Sequence, residues 1–125
     1  MKLLIDTHIL LWWLDDDPAI PLWAASVIAD QEHAVLVSAA SVWEISIKRA
    51  NGRLEAPDDL LSAVADDFAT LPMTAEHAMA AGRLPPHHAD PFDRMLIAQA
   101  RVEGLTLVSV DRRFADYDVA LLAAG

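Results

Sequence analysis

The chain has 125 residues, 54% of them hydrophobic, a formal net charge of −10 and no cysteine. This length and hydrophobic content suit one globular domain over residues 1–125 and exclude a disordered chain. The lack of cysteine excludes disulfides and thiolate metal sites, and the negative charge argues against a general nucleic-acid binder with a basic surface. Asp6 comes too early for a signal peptide, and no apolar stretch approaches the ~20 residues that span a bilayer. We therefore expect a cytoplasmic protein without a membrane segment.

The first half of the chain alternates apolar strands with helical patterns. Pro21 suits the first turn of a helix, and Asn51-Gly52 is a strong C-terminal helix stop. In chain order, the predicted elements are a strand over 2–6, a helix over 7–14, a helix from Pro21 to about Ala29, a strand over 34–38 and a helix from Ser41 to about Asn51.

The second half continues the alternation and ends in a strand followed by a short apolar segment. Asp90-Pro91 starts a helix that stops at Gly104, whereas the Pro-rich segment 84–89 cannot be helical. Strands separated by helices predict βαβ units, so the fold class is α/β with a parallel sheet covered on both faces. The predicted elements are helices from Pro57 to about Phe68, from Thr74, and from Asp90-Pro91 to Gly104, and extended segments over 71–73, 105–110 and 119–122.

Four carboxylates occupy positions where an α/β protein builds its ligand site. Asp6 and Asp111 each follow an apolar strand, and Glu44 and Asp93 lie one turn into predicted helices. In open α/β sheets, ligands bind beyond the carboxyl ends of the strands, and acids gathered there repel one another unless a cation or a shared proton neutralises them. Because Mg²⁺ and Mn²⁺ prefer carboxylate and water ligands, the joint pattern predicts a hard-metal site.

Asp93 is the strongest individual candidate. Leu96, Ile97 and Ala100 follow it at i+3, i+4 and i+7, so the acid lies within the apolar stripe of its helix. The structural alternative is an acid in the first helical turn, stabilised by the helix dipole. We favour a functional role, because an acid centred on a buried face is costly unless it is bound or paired. Asp90 is fully explained as the N-cap before Pro91.

The other acids have stronger structural alternatives when each is taken alone. Ser41 and Glu44 match a capping box, and Lys48 offers Glu44 a partner at i+4. Asp6 can cap the helix that follows the first strand, and Asp111 can begin a turn.

Histidines and tryptophans give a weaker functional signal than the acids. His87 and His88 are adjacent in a Pro-rich loop, which favours a contact to substrate or to a neighbouring chain over a metal role. The tryptophans occupy helical positions, which favours core or interface packing over base stacking. They are Trp12, Trp13, Trp23 and Trp43.

With these residues in hand, the chain resembles a PIN-domain ribonuclease, specifically a VapC-type toxin of a bacterial type II toxin–antitoxin pair. The resemblance covers nearly the whole chain, and its second half is the most specific part. The matching segments are Leu4-Ile5-Asp6-Thr7-His8, Ser41-Val42-Trp43-Glu44-Ile45, Asp90-Pro91-Phe92-Asp93-Arg94-Met95-Leu96-Ile97-Ala98-Gln99-Ala100 and Val108-Ser109-Val110-Asp111.

This resemblance implies a PIN-like α/β/α sandwich with a central parallel sheet and Mg²⁺- or Mn²⁺-dependent cleavage of RNA. It also implies a cognate antitoxin protein that blocks the site, and it supports a homodimer. Asp6 and Asp93 would be the principal metal ligands, with Thr7 and Ser109 as neighbours that orient carboxylates or water. The full catalytic and metal-binding set that it implies is Asp6, Glu44, Asp93 and Asp111.

Three rival classes can be compared with the same residues. A response-regulator receiver domain needs a late lysine, but the chain has lysine only at Lys2 and Lys48. A haloacid-dehalogenase-like phosphatase needs two aspartates two positions apart after the first strand, where this chain has Asp6 and His8. The remaining alternative is a non-catalytic PIN-like protein-interaction module, which loss of one of the four acids would indicate. None of the four is lost.

Overall fold

The computed structural model describes residues 1–123 and contains one parallel sheet with helices on both faces. The strands are β1 (Lys2–Ile5), β2 (Ala34–Ser38), β3 (Ala69–Leu71), β4 (Thr106–Val108) and β5 (Leu121–Leu122). The helices are α1 (Thr7–Leu14), α2 (Leu22–Ala29), α3 (Ala39–Ala50), α4 (Leu60–Asp67), α5 (Ala75–Gly82) and α6 (Pro91–Glu103), and a 3₁₀ helix spans Arg112–Asp116. This architecture confirms the α/β class and the central parallel sheet.

The strand order β3-β2-β1-β4-β5 places β1 in the centre, between β2 and β4. The chain moves outward from β1 through β2 to β3 and then returns to the other side of β1. In such sheets the crevice at the reversal point binds ligands. Ile5 pairs with Val37 on one side and with Val108 on the other, so these three strands end at the same level.

Alternate residues of the central strand supply two separate cores. Leu3 and Ile5 pack on one face with apolar side chains of α1 to α4, whereas Leu4 packs on the other face with α5, α6 and the 3₁₀ helix. Burial of one such aliphatic side chain contributes about 1.5–3 kcal/mol, so the alternation fixes the register of β1 strongly.

Helix α6 follows its sequence signals closely. The Asp90 carboxylate accepts the backbone N–H groups of Phe92 (2.8 Å) and Asp93 (3.1 Å), and Pro91 occupies the first helical position. At the other end, Gly104 adopts a left-handed conformation with φ 66°. The predicted N-cap and C-terminal stop are both confirmed.

Helix α3 begins earlier than its sequence predicts. Ser38, the last residue of β2, is the N-cap, and its hydroxyl accepts the Ala40 N–H at 2.9 Å. Ser41 therefore lies inside the helix, and the predicted capping box with Glu44 is wrong. Because Glu44 does not reach back to the backbone, its carboxylate is available for contacts between elements.

Smaller differences occur at other boundaries. Helix α4 begins at Leu60 instead of Pro57, whose carbonyl accepts a hydrogen bond from the Arg49 guanidinium at 2.6 Å. Strand β3 covers 69–71 instead of 71–73, since it pairs with β2 only as far as Leu71. No helix among residues 1–123 combines the length and the apolar character needed to cross a membrane.

Candidate metal centre

Asp6 lies directly after β1 and caps α1. One carboxylate oxygen accepts the Ile9 N–H at 2.9 Å, and the other accepts the Ser109 hydroxyl from the end of β4. Only 4% of Asp6 is exposed, and this burial raises the pKa of its carboxyl group, against the lowering effect of these hydrogen bonds. The capping role expected from sequence and a place in the acid cluster therefore coexist in one side chain.

Asp111 caps the 3₁₀ helix and forms an ion pair with Arg113. The guanidinium Nη2 lies 2.8 Å from Oδ2, and hydrogen bonding to Arg113 lowers the pKa of the Asp111 carboxyl group. The backbone N–H of Asp111 donates to the Ser109 hydroxyl at 2.9 Å. Because that hydroxyl donates to Asp6, Ser109 joins the segments that carry Asp6 and Asp111.

Glu44 projects from α3 toward α1. Its Oε1 accepts the Thr7 hydroxyl at 2.7 Å, and its Oε2 lies 2.5 Å from the Lys48 ammonium. The Ser41 hydroxyl lies 3.0 Å from the Thr7 oxygen, so Thr7 is held between two residues of α3. Both Glu44 oxygens are thus engaged by the protein's own groups.

Asp93 lies in the first turn of α6, as predicted. Its carboxylate Oδ2 is 2.9 Å from His88 Nε2. Burial, together with the charges of Asp90, Glu44 and Asp6 and against the opposing effect of His88, raises the pKa of Asp93 to about 6. Part of the Asp93 proton affinity therefore comes from the other acids of the cluster.

All four predicted acids line one cavity of about 120 Å³ at the carboxyl ends of β1 and β4. We call this cavity the acid cleft. His88, Asp93 and Asp111 each offer a ligand atom within 4.8 Å of the others. The residues that line the cleft are Asp6, Thr7, His8, Glu44, Lys48, Asp90, Asp93, Val110, Asp111, Arg113 and Phe114.

The chemistry of the acid cleft fits a hard divalent cation. Carboxylate and hydroxyl oxygens dominate its lining, which are the donors that Mg²⁺ and Mn²⁺ prefer. The raised pKa values of Asp6 and Asp93 indicate that their negative charges are insufficiently compensated by the protein alone. A cation in the cleft would supply that compensation.

Sequence reasoning missed several groups near these acids. His88 is buried against Asp93, and Arg113 places positive charge in the cleft. The Arg94 guanidinium donates to backbone carbonyls of the preceding loop and helix end. Those carbonyls belong to Ala81 (2.8 Å), Leu84 (2.9 Å), Pro85 (3.0 Å) and His88 (3.2 Å). Lys48, by contrast, was predicted from its i+4 spacing as a partner of Glu44, and this ion pair is confirmed.

Comparison with known proteins agrees with this fold. The family model described as PIN domain matches residues 3–120, and the chain belongs to that family. It is 30% identical over 120 residues to Ribonuclease VapC22 of Mycobacterium tuberculosis, which covers 91% of this chain and 90% of that protein.

Solved structures with the same fold include toxin–antitoxin complexes. VapBC2 from Rickettsia felis, bound to a DNA fragment from its promoter, gives a TM-score of 0.74 at 14% identity and full coverage of both chains. DNA-bound VapBC from Salmonella typhimurium gives 0.71 at 15% identity, with 98% of each chain covered. VapBC-5 from Mycobacterium tuberculosis gives 0.62 at 20% identity, also with 98% of each chain covered. At these identities the likeness establishes the fold.

Proposed function

We propose that this protein is a divalent-metal-dependent ribonuclease that hydrolyses phosphodiester bonds in RNA and acts as the toxin of a toxin–antitoxin pair. The observation that carries the proposal is the convergence of four carboxylates from distant segments on one cavity at the reversal point of the sheet. The similarity to a protein named a ribonuclease supports the reaction class. The similarity to toxin–antitoxin complexes supports the biological role.

The catalytic and metal-binding set is Asp6, Glu44, Asp93 and Asp111, with Mg²⁺ or Mn²⁺ as the cofactor. Asp6 and Asp93 are the principal ligands in this proposal, because within residues 1–123 neither is paired with a lysine or an arginine, whereas Glu44 pairs with Lys48 and Asp111 with Arg113. Thr7 and Ser109 orient the carboxylates through the hydrogen bonds described above. When bound, a divalent ion polarises a phosphate oxygen and activates water for attack on phosphorus.

Positive side chains at the cleft have a separate task. Lys48 and Arg113 line the same cavity as the four acids, in a chain whose net charge is −10. When a phosphodiester enters the cleft, its oxygens replace the carboxylates as partners of Lys48 and Arg113, because lysine and arginine both bind phosphate well. These local positive charges attract the phosphates of RNA, although the net negative charge of the protein repels them.

We further propose that a cognate antitoxin blocks the site. An apolar groove of about 500 Å³ runs between α3 and α4, with Asp58 and Asp59 beside it. Its apolar residues Val42 and Ile45 lie in the same helix as Glu44, so the groove and the acid cleft share α3. An antitoxin segment with apolar side chains for the groove and a basic side chain for the acids fits both features.

The toxin forms a homodimer within this proposal, as a single domain over residues 1–125. Large apolar side chains remain exposed on the monomer, among them Leu22 (84%), Leu61 (72%) and Trp43 (54%), and such surfaces favour association. Light scattering over a wide concentration range should give the dimer mass. A monomer mass throughout would contradict the dimer without affecting the catalytic proposal.

The decisive experiment measures RNA cleavage by purified protein freed of antitoxin. Cleavage should occur with Mg²⁺ or Mn²⁺, stop with EDTA, and return when the metal is restored. Asp66→Asn is a matched control, since Asp66 is an exposed acid of α4 outside the acid cleft. This control should cleave like the wild type. A folded wild type that cuts no RNA with either metal would overturn the proposal in favour of a non-catalytic PIN-like interaction module.

A further inference from the structure

Two adjacent histidines of the loop before α6 have opposite environments. His88 is 6% exposed, whereas the neighbouring His87 is exposed and packs its ring against Tyr117 with 5.2 Å between ring centroids. The His88 backbone is fixed at both polar groups. Its N–H donates to the Tyr117 hydroxyl at 2.8 Å, and its carbonyl accepts from Arg94 at 3.2 Å. The loop therefore holds the His88 ring in one place.

The hydrogen bonds of the ring define its neutral tautomer. Nδ1 accepts the backbone N–H of Asp90 at 3.3 Å, so it carries no hydrogen, and the hydrogen of the neutral imidazole is on Nε2. Nε2 faces two acids of the acid cleft, 2.9 Å from Asp93 Oδ2 and 4.0 Å from Asp111 Oδ2.

His88 Nε2 and Asp93 Oδ2 are close to each other but do not form a hydrogen bond. Although the two atoms are close enough, they are not aligned, and the buried Nε2 has no hydrogen-bond partner within residues 1–123. A buried donor without a partner costs about 1–3 kcal/mol. A change in orientation that aligned the two groups would satisfy the donor.

His88 is poorly arranged to be a metal ligand itself. Ligation through Nε2 needs a lone pair there, which would move the ring hydrogen to Nδ1 and oppose it to the Asp90 N–H. Donation from Nε2 needs no such change. The His88 side chain is therefore better suited to hold a carboxylate than to hold the ion.

We propose that His88 is a positioning residue that donates its Nε2 hydrogen to Asp93 Oδ2 and leaves Asp93 Oδ1 directed at the cation. This inference rests on the proposed metal-dependent function and assigns one more residue to that site. Residues that orient metal ligands through hydrogen bonds typically change metal affinity 10–100-fold when they are replaced.

The test compares His88→Gln, His88→Asn and His88→Leu by Mn²⁺ titration calorimetry in the absence of RNA. A glutamine amide can place its N–H near the position of Nε2, an asparagine amide reaches only the position of Nδ1, and leucine donates nothing. We expect the Gln variant to stay within a few-fold of wild-type affinity. The Asn and Leu variants should bind Mn²⁺ roughly 10–100-fold more weakly. His87→Leu is the matched control and should bind like the wild type.

The Asn and Gln pair keeps the test decisive even if the Leu variant does not fold, and melting curves in EDTA identify such a variant. In an RNA cleavage assay at limiting Mn²⁺, the His88→Asn variant should have a lower kcat than the wild type, with little change in KM for RNA. Equal Mn²⁺ affinity in the wild type, Gln and Asn variants would overturn the role of His88, as would equal weakening in Gln and Asn. A wild type that binds no Mn²⁺ would instead overturn the metal-dependent function on which the inference rests.

Discussion

Two buried polar regions of this molecule satisfy their polar groups in different ways. The first is the acid cleft. The second, here called the Gln99 network, joins α6 to β2 and α5 through side chains. Gln99, which is fully buried, accepts from the Ser38 hydroxyl at 2.5 Å and donates to the Pro72 carbonyl at 3.2 Å. Its amide nitrogen also lies 3.3 Å from His77 Nδ1.

The polar groups of the Gln99 network are satisfied by one another and by nearby groups of the chain, so we call the network closed. His77 Nδ1 accepts the Thr74 N–H at 3.1 Å as part of a capping box, and Nε2 lies 2.9 Å from Glu103 Oε1. Each donor in the network has an acceptor supplied by the chain. In the acid cleft, the four predicted acids and Asp90 face only two basic side chains, Lys48 and Arg113, and the adjacent buried His88 Nε2 is unpartnered within residues 1–123.

This difference separates a structural polar cluster from a functional one. A closed network needs no external group and contributes to stability and to a unique packing arrangement. An open cluster of like charges reduces stability until a ligand arrives, and that stored unfavourable energy favours binding. A substitution in one region, with both stability and metal binding measured, tests this distinction.

The largest expected effect is on catalysis. Asp6→Asn and Asp93→Asn should each reduce divalent-dependent RNA cleavage to background and relieve growth arrest on expression, because each removes a ligand charge with little change in shape. Circular dichroism should show an intact fold in both. Wild-type activity in either variant, with EDTA still inhibiting the parent, would remove that residue from the site.

The next effect is stabilisation by metal. Mg²⁺ or Mn²⁺ should raise the melting temperature of the wild type, because binding to the folded state adds about 2.7 kcal/mol at 100-fold excess over the dissociation constant. Asp93→Asn should lose most of this response. Paired thermal melts with EDTA and with Mn²⁺ measure it, and an equal shift in the two proteins would contradict the assignment of Asp93.

A substitution in the Gln99 network should instead lower stability and leave the response to metal unchanged. Gln99→Leu leaves Ser38 and the Pro72 carbonyl without a buried partner and should lower the free energy of unfolding by about 1–3 kcal/mol, measured by urea denaturation. The Mn²⁺ shift of the folded protein should be unchanged. Gln31→Leu is the matched control, since Gln31 is exposed and its replacement should change the free energy of unfolding little. A loss of Mn²⁺ response in Gln99→Leu would show that the two regions are coupled.

The smallest effect concerns the pH dependence of metal-free stability. Folding raises the pKa of Asp93 from 3.8 to about 6, so the folded protein retains a proton that the unfolded chain has released between these values. The Asp93 contribution therefore becomes less favourable as the pH rises through this window. In EDTA, Asp93→Asn should melt above the wild type at pH 7, with the difference disappearing near pH 4. A lower melting temperature for the variant at pH 7 would indicate that Asp93 mainly stabilises the helix.

The parts of the molecule that sequence predicted best depend on local chemistry. Asp90, Pro91 and Gly104 determine the ends of α6 through contacts within a few residues, and Asp93 follows at a fixed place in that helix. Asp6 and Asp111 were assigned to the sheet edge because strand ends are visible as the ends of apolar runs. The convergence of these acids was predictable once a parallel sheet was inferred.

The parts that sequence missed depend on contacts between distant segments. Ser38 and Ser41 are both suitable N-cap residues by type. In the structure Ser38 is the N-cap of α3, and the same residue ends β2, where it pairs with Leu71 of β3. The position of His88 depends on Tyr117, 29 residues away, and on Arg94. A Pro-rich loop contains no periodic pattern from which such contacts can be inferred, so the sequence interpretation of His88 as a loop contact did not place it beside Asp93.

Arg94 divides the residues around the acid cleft into two groups by what holds them. Its guanidinium binds the carbonyls of Ala81 and His88, and Arg94 lies next to Asp93 in α6, so Asp93 and His88 are tied to α6 and to the segment before it. Asp6 and Ser109 instead follow β1 and β4 and are joined to each other by a hydrogen bond. The packing of α6 against the strand ends therefore sets the separation between the two principal ligands of the proposed site.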